Sequence, residues 1–246
     1  MSSKEILVLT PTPREFEAVS RHLAGAFKNF RVRVAASGPG AVNAAFRTAE
    51  AALGPAQGGP DLIIGAGTCG SLSRDLVEGE MIASAEAVIA DWFMEDDSGR
   101  HYSPYGLFDY RPLSAETLEA MTLKCSDPRV AALLERLGKA GFRRGRLMTS
   151  GVFVAGLENK LAKGRAFQSL GCDMESGVFA YAAQNLLGGR PWFNLRVVAD
   201  TLDETLADYF AKERDMTDIL GGKTRQALEI LDALLVAPVG GVCNAK

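Results

Sequence analysis

Short β-branched or Leu-rich runs alternate along the chain with helical patterns, separated by turns marked by glycine or proline. That alternation restricts the chain to a sheet covered by helices. EILVLT (5–10) leads through Pro11 and Pro13 into REFEAVSRHLAG, where Phe16, Val19 and Leu23 recur at helical spacing. FRVRVAAS (30–37) alternates as a half-buried strand does, then meets Gly38-Pro39-Gly40 and an Ala-rich helix to about Leu53. DLIIGA (61–66) is an apolar strand running into a Gly-rich turn, and 81–91, 146–150 and 193–200 read as further strands. Helices are predicted over 127–140, 175–187 and 223–235. The predicted fold class is α/β, with layers of helix around a central, largely parallel or mixed sheet.

With 246 residues, 47% hydrophobic and 23% charged, one domain spanning 1–246 can bury a large core. Net charge is -3 and basic residues are scattered, apart from clusters such as Arg143, Arg144 and Arg146, which argues against a nucleic-acid groove. The opening MSSKEILVLT lacks the pattern of a secretory signal, and no apolar stretch reaches membrane-spanning length, so a cytoplasmic protein without membrane contact is expected. Cys69, Cys125, Cys172 and Cys243 are widely spaced and read as reduced thiols, neither a disulfide frame nor a zinc site. His22 and His101 are the two histidines, both expected at surface or loop positions, so a histidine triad or metal centre has little to draw on. The segment 93–112 packs acids, Gly, Pro and several rings without helical period; it suits a solvated loop as well as a pocket wall or subunit contact.

Gly65-Ala66-Gly67-Thr68-Cys69-Gly70 fits GxGxxG after a strand, but a dinucleotide fingerprint must open a long helix that offers its N-terminus to pyrophosphate. The residues that follow pass through Gly79 back to an extended run, so that reading is set aside. The glycines suit instead a turn where backbone and the Thr68 hydroxyl approach a ligand, beside Ser37-Gly38-Pro39-Gly40 at the next strand end.

Three acids stand at strand ends or helix starts: Glu15 in the first strand-to-helix turn, Glu175 opening a helix in CDMESGVFAYAAQNL, and Asp200 ending WFNLRVVAD. Singly, each suits a cap or a solvated group. Together they fit cleavage of a ribosyl C1′–N9 bond, in which positive charge builds on the sugar and negative charge on the departing purine. A shielded acid protonates the purine, a second carboxylate takes a proton from water, and a third grips the ribose hydroxyls. Asp200, after Val197-Val198-Ala199, has apolar neighbours able to raise its pKa.

At these residues the sequence resembles the nucleoside phosphorylase/nucleosidase superfamily of the purine nucleoside phosphorylase type, and within it 5′-methylthioadenosine/S-adenosylhomocysteine nucleosidases and futalosine hydrolases. The likeness runs from ILVLTPTPREFEAV through SGPGAVNAA, PDLIIGAGTCGSL, TSGVFV and CDMESGVFA to LRVVAD. It implies a three-layer α/β/α sandwich around a mixed sheet partly closed into a barrel, with no cofactor or metal. By resemblance, Glu15 activates water, Arg196 positions that water and the carboxylate, and Asp200 protonates N7. Thr68 lies near sugar and water, Met174 and Glu175 hold the ribose, Phe153 stacks on the base and the Val154 backbone reads its edge. The resemblance also implies a homo-oligomer, a dimer being favoured, with pockets near the interface, and 93–112 is the candidate segment for completing the neighbour's site.

Phosphorylases of the bacterial hexameric type carry phosphate-binding arginines where this chain has Gly65 and Glu15, so hydrolysis is favoured over phosphorolysis. A non-catalytic nucleoside binder would not need both proton-transfer groups. Two departures bear on the substrate. Nucleosidases of this kind carry an aspartate before the stacking Phe, where Gly151-Val152 stands here, and Ser-Asp where Ala199-Asp200 stands. Futalosine or another 6-substituted purine nucleoside therefore stays open beside methylthioadenosine. The stretch 201–216 reads either as a lid over the base or as an exposed amphipathic helix.

Overall fold

A computed structural model describes residues 4–25, 27–53, 59–105, 109–204 and 206–236. Strands β1 (Lys4–Thr10), β2 (Phe30–Ala36), β3 (Leu62–Ser71), β4 (Met81–Ser84) and β5 (Glu86–Ile89) come first, with helices α1 (Pro13–Leu23) and α2 (Ala41–Leu53) between them. Short strands β6 (Phe93–Asp96), β7 (Gly99–Tyr102) and β8 (Arg111–Pro112) precede α3 (Ala115–Met121), β9 (Leu123–Lys124) and α4 (Pro128–Lys139). There follow β10 (Arg143–Arg144), β11 (Arg146–Thr149), α5 (Leu157–Phe167), β12 (Ser169–Asp173), α6 (Ser176–Tyr181), β13 (Trp192–Asp200) and α7 (Leu206–Val236).

The main sheet is mixed and runs β10-β4-β13-β3-β12-β11-β5-β9, with β1 joining β3 and carrying β2 outside it. Strand side chains alternate between faces, and this alternation assigns the layers. Ile6 and Val8 of β1, with Phe193, Leu195, Val197 and Ala199 of β13, pack against Val19 of α1, Leu133 of α4 and Leu220 and Leu228 of α7. Leu7, Leu9 and Trp192 face the other way, onto Ala44 of α2 and Val178 and Phe179 of α6. The sheet thus lies between two helical layers, as the α/β class requires.

Strand β3 positions the site because its neighbour changes along its length. Leu62 to Gly65 pair in parallel with Ile6 to Leu9 of β1, whereas Gly70 and Ser71 pair antiparallel with Cys172 and Gly171 of β12. On its other edge β13 follows throughout, with an irregularity between Val198 and Asp200. The ends of β1 and β12 therefore meet around Gly67, Thr68 and Cys69.

Several expectations need correction. The GxGxxG segment is not a turn but lies inside β3, paired along one edge with β13 and at its two ends with β1 and β12. The aromatic segment 93–112 forms a small antiparallel sheet, β6-β7-β8, apart from 106–108, which lie outside the described residues. Of 201–216, residues 206–216 begin the long α7, which gives them the helical form; Thr205 lies outside the described residues. The helix predicted over 175–187 is α6 followed by a π-helical turn, Ala182–Leu186. His22 lies on α1, half-buried, with Nδ1 2.9 Å from the Ala18 carbonyl, while His101 sits in the β6-β7 hairpin beside Asp96. Cys69, Cys125 and Cys172 are free thiols, and Cys243 lies outside the described residues. Among the described residues no helix is long and apolar enough to cross a membrane.

Candidate active site

Glu15 is fixed by the way α1 begins. Thr12 is its N-cap and Pro13 occupies the first turn, where its missing N–H costs nothing. The Glu15 N–H donates to Thr12 Oγ1 at 3.2 Å, and Glu15 Oε2 accepts from the Thr12 N–H at 2.8 Å, a reciprocal capping box. Oε1 is turned across to β3, where it accepts from the Thr68 N–H at 2.7 Å. Burial pushes the Glu15 carboxyl above its ordinary value, against the pull of the Arg196 charge and of these hydrogen bonds.

Glu175 is held from the opposite side. It precedes α6, and its Oε1 accepts from the Gly40 N–H at 2.8 Å. Gly40 has φ of +84°, a left-handed conformation that suits glycine and turns its N–H inward from the SGPG segment. Burial, and then the negative charge of Asp173, push the Glu175 carboxyl up to about 8.

Beneath both acids lies an ionic hub of Arg196 and Asp173, of which sequence reasoning missed Asp173. Asp173, at the end of β12, accepts at Oδ1 from Thr149 Oγ1 (2.9 Å) and from the N–H groups of Glu175 (3.1 Å) and Ser176 (3.0 Å). Its Oδ2 takes the Ser176 hydroxyl and Arg196 Nε. Arg196 is completely buried, lies against the Phe179 ring, and keeps Nη2 without a hydrogen-bond partner among the described residues. A Cβ on Gly67 would stand 3.0 Å from Arg196 Nη1 and 3.1 Å from Glu15 Oε1, so the guanidinium lies close behind Glu15. The signal for Asp173 was present: Asp-x-x-Ser before a small-residue helix is a capping pattern.

Asp200 ends β13 directly over Gly70, where a Cβ would come within 2.8 Å and 2.9 Å of its two carboxyl oxygens. It is paired with Lys160 of α5, whose Nζ donates to Asp200 Oδ2 and to the Thr201 carbonyl. Burial pushes the Asp200 carboxyl up, while the bond to Lys160 and its charge pull it down; the net direction is upward. Lys160 was also missed, because α5 was not foreseen.

These groups converge. A cavity of about 410 Å3 is lined by Glu15, Thr68, Phe153, Met174, Glu175 and Asp200, together with Thr12 and Asp173. At the Asp200 end a narrower extension adds Val154 and Lys160. Of the predicted site residues, Arg196 does not line this cavity; it sits behind Asp173 and Glu15. Val154 is buried and reaches only the extension. Among the described residues no group of three or more His, Cys, Asp or Glu side chains is arranged to hold a metal. A separate cleft bounded by Ile6, Phe30, Leu62, Val130 and Leu231 contains none of the predicted site residues.

A forked mixed sheet between two helical layers, with buried acids around one cavity, defines an α/β protein. The chain belongs to the phosphorylase superfamily, whose family model matches residues 5–235. No curated protein matches it in sequence. Solved structures agree with its fold. The futalosine hydrolase of Helicobacter pylori superposes with a TM-score of 0.73 at 19% identity, covering 94% of this chain and 98% of that one. The 5′-methylthioadenosine/S-adenosylhomocysteine nucleosidase of Helicobacter pylori, with butyl-thio-DADMe-Immucillin-A, gives 0.73 at 18%, covering 93% and 99%. The 5′-methylthioadenosine nucleosidase of Arabidopsis thaliana gives 0.71 at 18%, covering 94% and 97%.

Proposed function

We propose that this chain hydrolyses the N-glycosidic bond of a purine nucleoside. The observation that carries the reading is that one cavity has Glu15 and Glu175 beside Thr68 at one end and Asp200 beside Phe153 at the other. The ribose lies with its hydroxyls donating to Glu175, and the base stacks on Phe153. Water attacks C1′ and passes a proton to Glu15, whose raised pKa brings it nearer neutrality as a base. The C1′–N9 electron pair leaves with the purine, and Asp200 gives its proton to N7. The carboxylate left on Asp200 is held by Lys160. Arg196 is a positioning residue that keeps Asp173 and Glu15 in place.

Water is favoured over phosphate by the walls. The sugar end carries carboxylates, which repel a phosphate dianion, and among the described residues that line the main cavity there is no Lys or Arg. Gly65 cannot be replaced by an arginine without collision, since a Cβ there would come 2.2 Å from Asn194 Oδ1 and 2.5 Å from the Phe179 ring. We further propose that the chain works as a homodimer in a reducing cytoplasm, with β6–β8 near the neighbouring pocket.

The test is release of free base from a panel of purine nucleosides, with and without phosphate. Phosphate-independent release is expected. Release only with phosphate would turn the reading to phosphorolysis, and tight binding without release would make the chain a binder. In Asp200→Asn, turnover should fall at least about a hundredfold with nucleoside binding kept, because the amide still accepts from Lys160 but has no proton for N7.

A further inference from the structure

Lys160 is the cation at the base end of the cavity, and it is 0% exposed. An ammonium has three N–H donors and no acceptor. Two go to Asp200 Oδ2 and the Thr201 carbonyl, which leaves one donor at the narrow extension lined by Phe153, Val154 and Asp200.

We infer that Lys160 selects nucleosides whose purine carries an oxygen at C6 over those that carry an amino group there. This rests on the purine-nucleoside reading above. Along the N7 side, a 6-oxopurine presents two adjacent acceptors, N7 and O6, whereas a 6-aminopurine presents an acceptor at N7 and a donor at C6. With Asp200 carrying the proton that the hydrolytic reading assigns to it, its O–H and the third Lys160 N–H are two adjacent donors, a pattern that matches N7 and O6. An amino group would turn its hydrogens toward the ammonium. Asp200 Oδ2, beside the ammonium, already accepts from Lys160. A buried donor that meets a donor loses its hydrogen bond without recovering hydration, which makes such sites strongly selective. When Asp200 passes its proton to N7, the ammonium faces a carboxylate on one side and O6 on the other. No further proton source is needed for bond cleavage.

The test compares inosine with adenosine, which share one sugar, and separately hypoxanthine with adenine. Base release gives kcat/KM for the first pair, and calorimetry on the full chain gives Kd for the second. The wild type should favour the 6-oxo member of each pair by at least about tenfold. Lys160→Met, similar in length but without a donor, should lower release from both nucleosides, because Asp200 loses the partner that holds its carboxylate, but should weaken the 6-oxo member of each pair by at least about tenfold more, so that the preference disappears. A wild type that treats the two equally or favours the 6-amino member overturns the inference. So does a Lys160→Met variant that weakens both members in proportion, as a merely structural lysine would. If that variant does not fold, the wild-type comparison decides. Preferred binding of hypoxanthine without release from either nucleoside would sink hydrolysis and leave the selection standing; failure to bind either base would overturn the selection itself.

Discussion

Glu175 illustrates how a buried carboxyl can report on its own ligand. Burial and Asp173 raise its pKa to about 8, while Arg196 and the Gly40 N–H favour the charged form and Glu15 opposes it. Ribose hydroxyls donate hydrogen bonds, so they bind the carboxylate better than the acid. Nucleoside binding must then release a proton from any Glu175 that is protonated. Affinity should therefore improve as pH rises toward about 8, by at most about tenfold per unit, and level off above it. Calorimetry in buffers of different ionisation enthalpy reads the released proton, and Glu175→Gln should abolish both the release and the slope. Glu15, Glu175 and Asp200 were legible because acids at strand ends and helix starts are few and their chemistry is complementary. Asp173 and Lys160 were not. Asp173 stood two residues before a more conspicuous glutamate, and Lys160 sits in a segment with Lys163 and Arg165 that reads as a solvated face.

At the level of elements, β3 departs most from its local sequence. Its three glycines suggested a turn, yet ladders to β1, β12 and β13 hold it extended, and the absent side chains leave room for neighbours to approach. Gly70 is the sharpest case, because Asp200 occupies the space a methyl group would fill. Gly70→Ala should push the carboxyl aside and lower kcat/KM by about a hundredfold, the scale of a 1 Å misplacement, with an unchanged far-UV spectrum. Normal kinetics in that variant would mean that Asp200 does not need its position over β3. The strands with continuous apolar runs, β1 and β13, were readable from the sequence, as was α2 after Gly40. Helix α5 and strand β12 were not, since QSLGCD offers little β-branched character and α5 is bounded by Gly156, not by a side-chain cap. Helix α7 proved much longer than its apolar period indicated, because Ala207, Asp208, Ala211, Arg214 and Asp215 near its start are exposed.

Across the whole molecule, the α/β class followed from alternation alone, whereas the fork in the sheet depends on long-range pairing that no local pattern encodes. The surface also carries a stripe that single-chain packing does not use: Val42, Phe46 and Leu53 of α2 are 83%, 65% and 73% exposed, and their spacing puts them on one helical face. That helix starts one residue after Gly40, which holds Glu175, so a partner seated there would lie beside the cavity. Sedimentation should give a dimer for the wild type and a shift toward monomer for Phe46→Glu; a wild-type monomer at micromolar concentration would remove the dimer proposal. The central claim is that water is the nucleophile at C1′ while the base departs protonated. It is tested most directly by turnover of a purine nucleoside in 18O-labelled water with phosphate present, and mass analysis of the sugar. The expected product is free sugar with one 18O at C1′, and a sugar 1-phosphate without the label would contradict the account.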